Sequence, residues 1–330
     1  MPRTSARPDA SFRPCSRAAD ALAAAALAAV LAATPAARPL AADLPDCERP
    51  ESFAARELPS GSAPRIVLLQ GSLGLVTMEP LGAFLAAMGY PARQLADPRT
   101  GVMTTDSDLD GRLLAGMLAW QTEHDGVRPM IVGHSKGGGV VIDTLRALAG
   151  LRGSDVAVVD PRTGNAEPRD RFTDPVTRRA TPVTELRLPY AAAIATGRMP
   201  RILRGQFELA RVLREVPDSA ERFTGFTIPF DPIAGAFAGD EDPYVATGSA
   251  KVRNVVLPAA TSHIGAPLTE HLARDAATRT WIERYRPGGS QPWPEGPDTT
   301  NLVLAAELWY DVKRAWCAEA QRAAQAQRGG

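Results

Sequence analysis

The chain has no surplus of charge of either sign: Lys and Arg number 37, and Asp and Glu also number 37. Nucleic acids and anionic membrane surfaces draw proteins through concentrated basic side chains, so this balance excludes both as the main partner. Long apolar runs are missing too, since a membrane span takes roughly 20 consecutive apolar residues and no segment reaches that length. Cysteine and histidine are scarce, at 3 and 4 residues. What the chain does have is ordinary core material, with 45% hydrophobic residues in a length of 330. That suffices for one large sheet-centred domain or two modest ones.

The N-terminus has the layout of a secretory signal. Met1 to about Asp20 carries several Arg and Pro, Ala21 to Ala33 is uncharged and rich in Ala, and small residues follow from Ala32 to Ala42. We therefore expect residues 1–42 to be a leader, and residues 43–330 to form one domain that is secreted or periplasmic. Cys15 would be lost with the leader, which leaves Cys47 and Cys317 near the two ends of the mature chain. An even pair in an oxidising compartment is expected to form a disulfide.

Strand and helix patterns alternate through the first half. Arg65 to Leu69 reads as a buried strand, and a helix capped by Thr77 carries Leu81, Phe84, Leu85 and Met88 at helical spacing. A strand is expected at Ala92 to Leu95, a helix from about Asp106 to Gln121, and a strand at Met130 to Val132. A helix from Gly137 to Leu148 follows. This alternation predicts an α/β fold, with a mostly parallel central sheet and helices on both faces. From about Arg152 to Phe223 the rhythm breaks, and the stretch from Ala191 to Val216 reads as helical. We expect an insertion there, a lid over the sheet. Strands are expected again at Ile233 to Ala238 and at Asn254 to Leu257, and the closing helices at Leu268 to Tyr285 and Asn301 to about Gln321.

The chemistry centres on Gly133-His134-Ser135-Lys136-Gly137. A serine hydroxyl is a weak nucleophile at neutral pH and needs a base, an orienting acid and donors for the oxyanion. A sharp strand-to-helix turn lifts the serine above the sheet, in front of a helix N-terminus. Small residues two before and two after it let the backbone fold that tightly. Gly133 and Gly137 hold those two positions, with a strand before and a helix behind. A phosphate loop is excluded, because Lys136 lies inside the turn rather than after it.

Ile131 to Gly138 resembles the nucleophile elbow of the α/β-hydrolase superfamily, in its esterase and lipase branch. The likeness runs from Arg65 to about Leu272, apart from the middle insertion. Leu68-Leu69-Gln70-Gly71-Ser72 resembles the family's oxyanion loop, with Gln70 where His is common. The resemblance implies backbone N–H donors at Ser72 and Lys136. The family's order of serine, acid, histidine sets aside His124, which precedes the serine, and His134, inside the elbow. His271 falls in a helix pattern, which leaves His263, in Thr261-Ser262-His263-Ile264-Gly265. For the acid, Gly239 to Val245 resembles the family's Gly-x-x-Asp-x-x-Val segment and selects Asp242, with Asp240 and Asp231 as competitors.

These residues imply hydrolysis of a carboxylic ester by Ser135, His263 and Asp242. Leu203, Phe207 and Leu213 in the expected lid suggest a lipid-like or hydrophobic ester. No cofactor is implied, and the acidic cluster at 240–242 lacks the neighbouring His or Cys of a metal site. A thioesterase, an amidase, an acyltransferase, or a hydrolase-fold protein that only binds its ligand would share most of these features.

Overall fold

A computed structural model describes residues 44–72, 76–236, 242–295 and 298–329. The expected leader lies outside the described residues. So does Asp240, one of the three acids considered.

Among the described residues nine strands form, in chain order: β1 (Ile66–Leu69), β2 (Met130–His134), β3 (Arg171–Thr173), β4 (Ala180–Pro182), β5 (Ala191–Ile194), β6 (Glu215–Val216), β7 (Arg222–Thr227), β8 (Val245–Ala246) and β9 (Lys251–Val256). Five of them make the central sheet, in the order β1-β2-β5-β7-β9, and every neighbouring pair is parallel. Parallel strands need crossovers: α1 (Glu79–Ala87) and α2 (Gly111–Asp125) lie between β1 and β2, α3 (Lys136–Leu148) between β2 and β5, and α4 (Met199–Leu203) and α5 (Phe207–Val212) between β5 and β7, while α6 (Glu270–Arg274), α7 (Ala276–Glu283) and α8 (Leu302–Gly329) follow β9.

Both faces of the sheet are buried. In β1, Ile66 and Leu68 point into one apolar cluster with Phe84 of α1, Leu272 of α6, Ile282 of α7 and Trp309 of α8. Val67 and Leu69 point into a second, with Leu118 of α2 and Leu145 of α3. The two-residue period of a strand thus feeds two cores, which is why β1 reads as an unbroken apolar run.

The lead-in segment before β1 is tied down beside α8. Cys47 and Cys317 form a disulfide, with Cα atoms 5.4 Å apart across 270 residues of sequence. In the chain-entropy account, closing so long a loop stabilises by about 5 kcal/mol. The buried Lys313 ammonium donates to the Phe53 carbonyl at 3.1 Å and to Glu283 Oε2 at 2.9 Å, which ties the lead-in segment to the same helix. Among the described residues, no helix is long and apolar enough to cross a membrane.

Several elements differ from expectation. The stretch from 152 to 223 was expected to lie over the sheet, yet it contributes the middle strand, β5. Alanine favours helices, so Ala191-Ala192-Ala193 reads as helix. Here the three side chains are fully buried between β2 and β7, and tertiary pairing overrides propensity. The strand expected at Ile233 to Ala238 is absent at Ile233–Ala236, which form a turn, and residues 237–238 lie outside the described set. Its place in the sheet is taken by β7, whose Thr224 and Gly225 weaken the apolar signal. Ala92 to Leu95 contains a single 3-10 turn rather than a strand. α2 starts later than expected, at Asp110, whose side chain accepts from the Arg112 N–H. The C-terminal pattern is divided by Asp275, which caps α7 through Ala277 N and Thr278 N.

Candidate active site

All five central strands deliver loops to the carboxyl edge of the sheet, the edge where open α/β sheets hold their ligands. Ser72 follows β1, Ser135 follows β2, Thr196 follows β5, Asp231 follows β7 and His263 follows β9. Residues far apart in sequence therefore meet at one rim.

Ser135 sits on the turn between β2 and α3 with φ 52° and ψ −111°, a backbone conformation that costs a non-glycine residue about 1–3 kcal/mol. Its N–H donates to the Ile194 carbonyl at 2.8 Å, which pins the turn to β5. The flanking glycines are required by contact. A Cβ on Gly133 would stand 2.4 Å from the Gly137 carbonyl, and one on Gly137 would stand 2.4 Å from the Leu69 carbonyl oxygen. Lys136 opens α3, so its N–H has no acceptor within the helix and is left for a ligand.

His263 completes a hydrogen-bonded chain. Ser135 Oγ donates to His263 Nε2 at 3.0 Å, and His263 Nδ1 donates to Asp231 Oδ2 at 2.7 Å. An ionised carboxylate only accepts, so Asp231 places the proton on Nδ1 and leaves Nε2 free to act as a base. Asp231 is held by its own turn: Oδ1 accepts from Ala234 N at 3.0 Å, and backbone bonds join residues 231 and 236 in both directions. Both His263 and Asp231 are buried.

Asp242 is not in this chain. Its Oδ2 accepts from Arg214 Nε at 2.9 Å, and its Oδ1 pairs with Arg198 at 3.0 Å. The expected pairing of Asp242 with His263 is therefore corrected: two guanidiniums hold Asp242, and the carboxylate that meets the imidazole is Asp231. A signal for Asp231 was available. Once β7 is placed at Arg222–Thr227, Asp231-Pro232 becomes the first acid on the loop after that strand.

His134, set aside by sequence order, supports the site from below. It is fully buried, and its Nε2 donates to the His263 carbonyl oxygen at 2.9 Å. Burial, with the nearby His263, pushes its pKa down to about 4, so the ring is neutral at ordinary pH and keeps that donor.

The pocket in front of Ser135 is a shallow cleft of only about 10 Å³, lined by Ser72, Lys136, Gly197, Pro200, Arg201 and Arg204. Both expected oxyanion donors, Ser72 and Lys136, thus lie around the serine. The expected apolar lining does not. Leu203 and Phe207 are exposed on α4 and α5, and Leu213 is fully buried in the core beneath β5. Among the described residues, no three His, Cys, Asp or Glu side chains are grouped to hold a metal ion.

No family model matches the chain, and no curated protein matches it.

Proposed function

We propose that the protein is a serine hydrolase of the α/β-hydrolase type that cleaves carboxylic esters through an acyl-enzyme. The observation that carries this reading is the unbroken chain from Ser135 Oγ through His263 to Asp231, at 3.0 and 2.7 Å, on a strained strand-to-helix turn.

The chemistry follows from those positions. Ser135 Oγ attacks the ester carbonyl carbon while its proton passes to His263 Nε2. Asp231 stabilises the resulting imidazolium. The carbonyl oxygen becomes an oxyanion, met by the Lys136 and Ser72 N–H groups and by the N-terminus of α3. Collapse expels the alcohol, which takes the proton from His263. Water, deprotonated by the same imidazole, then attacks the acyl-enzyme and releases the acid and free Ser135. In sum, ester and water become acid and alcohol. His134 acts as a positioning residue, because its bond to the His263 carbonyl holds that loop against the elbow.

In this reading α4 serves as the cover of the site, since its Pro200 and Arg201 and the Arg204 that ends it line the pocket. Leu203 and Phe207, exposed outside that pocket, offer contact for a hydrophobic part of the ester that extends beyond it. The disulfide and the Ala-rich leader support export to an oxidising compartment.

Labelling with a fluorophosphonate probe tests the nucleophile directly. The native protein should label and hydrolyse nitrophenyl esters, and Ser135→Ala should do neither. Near-native turnover by Ser135→Ala would remove this function.

A further inference from the structure

Five cations stand around the carboxyl edge of β2 and β5, and they differ in how they are neutralised. Arg198 and Arg214 share Asp242. Lys136 pairs with Asp108, whose side chain is itself largely exposed. Arg201 and Arg204 have no carboxylate within ion-pair distance among the described residues. Arg201 is only 3% exposed, and its bonds go to neutral acceptors: the Lys136 carbonyl at 2.6 Å and Gln206 Oε1 at 3.1 Å. Its Nε is buried without a hydrogen-bond partner. Arg204 reaches over the pocket to Ser72 Oγ at 3.2 Å.

Asp143, which is itself in contact with Arg152, acts on Arg201 only from a distance. A buried guanidinium with no carboxylate in contact is costly, and the cost falls when an anion arrives. The strain shows in the protonation equilibria. Burial, followed by the like charge of Arg204, pushes Arg201 down to about 10 and lowers Lys136 as well. Lys136, Arg201 and Arg204 therefore line the same cleft as Ser135, together with Ser72, Gly197 and Pro200.

We propose that this pocket selects esters carrying a second, anionic group, a carboxylate or a phosphate, held by Arg204 and Arg201 beside the ester cleaved at Ser135. The inference rests on the hydrolase reading above and adds the substrate class to it. A purely electrostatic role for these cations, at the oxyanion alone, would speed neutral and anionic esters alike. Selection by charge is what separates the two.

The test compares matched esters. Nitrophenyl hemiglutarate against nitrophenyl valerate places the anion on the acyl side. The acetate of 3-hydroxybenzoic acid against that of 3-hydroxybenzamide places it on the alcohol side. One pair should show a preference in kcat/KM for the anionic member of roughly tenfold or more, the scale of one charge-assisted hydrogen bond. Which pair responds tells whether the acid or the alcohol product carries the charge. Arg204→Gln should bring that ratio close to one. Arg211→Gln, which removes an exposed cation on α5 that pairs with Glu208, should leave it in place. Equal or faster turnover of both neutral esters would overturn the proposal and leave ester hydrolysis standing. If no ester turns over, the hydrolase reading falls, and calorimetry with inorganic phosphate decides the cation cluster. Millimolar binding lost in Arg204→Gln would sustain an anion site, and no binding would overturn it.

Discussion

The two edges of the central sheet use the same kinds of charged residue in opposite ways. At the amino edge, Arg128 just before β2 donates to Glu319 of α8 at 2.6 Å, to Glu221 before β7 at 2.7 Å and to the Arg187 carbonyl before β5 at 3.1 Å. Burial works to raise the Glu319 carboxyl, but the Arg128 charge and hydrogen bonds outweigh it and hold the pKa below its usual value. The Arg128 guanidinium and the Glu319 carboxylate are both paired there, and the cluster ties three strands to the last helix. At the carboxyl edge, Ser135 holds a strained backbone, Arg201 lacks a counter-ion among the described residues, and Asp231 leaves one oxygen for an imidazole. Saturated pairing rigidifies a fold, while groups left with a free valence are the ones a substrate can use.

The sharpest way to break that contrast is at the serine. Ser135→Ala should lower turnover by roughly 10⁴- to 10⁶-fold with folding retained, as read from nitrophenyl ester kinetics and circular dichroism. Next come the two aspartates. Asp231→Asn should cost roughly 10⁴-fold in kcat, because an amide no longer sets the tautomer of His263. Asp242→Asn should cost less than about tenfold in kcat, and about 1–3 kcal/mol of stability through the pair with the buried Arg214. Similar losses of turnover in both variants would dissolve the distinction drawn between their surroundings.

The amino edge should answer in stability alone. Glu319→Gln is expected to cost about 3–5 kcal/mol in denaturant unfolding, because it leaves Arg128 buried without its main partner, while the ester turnover proposed for the folded protein stays near native. The last effect, small near neutral pH, is a slope with pH. His134 is neutral in the fold with a pKa of about 4, against 6.5 when unfolded, so the unfolded chain binds the extra proton between those values. Stability is therefore full above about pH 6.5 and falls as the pH drops towards 4, by about 3 kcal/mol at the lower end. His134→Gln should flatten that slope between pH 6.5 and 5, where carboxylates contribute little.

Much of this was legible before any fold was known. Met130 to Leu148 carries a strand, a two-glycine turn and a helix in uninterrupted order, and each signal is local. His263 was legible as well, because few histidines compete and it follows a clear strand. β5 and β7 were not. Ala191 to Ala193 have no β-branched side chain, and their small size matters only because α3 packs close above them: a Cβ on Gly138 would stand 3.2 Å from Ala193 Cβ. Misplacing β7 displaced the acid with it, since the loop that follows a strand is known only when the strand is.

The amino-acid order alone determined the α/β character, the serine turn and the histidine, because strand period, helix period and turn sterics act over a few residues. The pairing of Cys47 with Cys317 was also readable, from scarcity rather than geometry. Tertiary structure alone decided which carboxylate meets His263, that His134 holds the His263 loop, and that Arg201 and Arg204 face the serine. Those relations depend on where parallel strands end and which loops share a rim, a matter of packing between segments far apart along the chain, as with the separation of 32 between Asp231 and His263, of 128 between Ser135 and His263 and of 65 between Lys136 and Arg201.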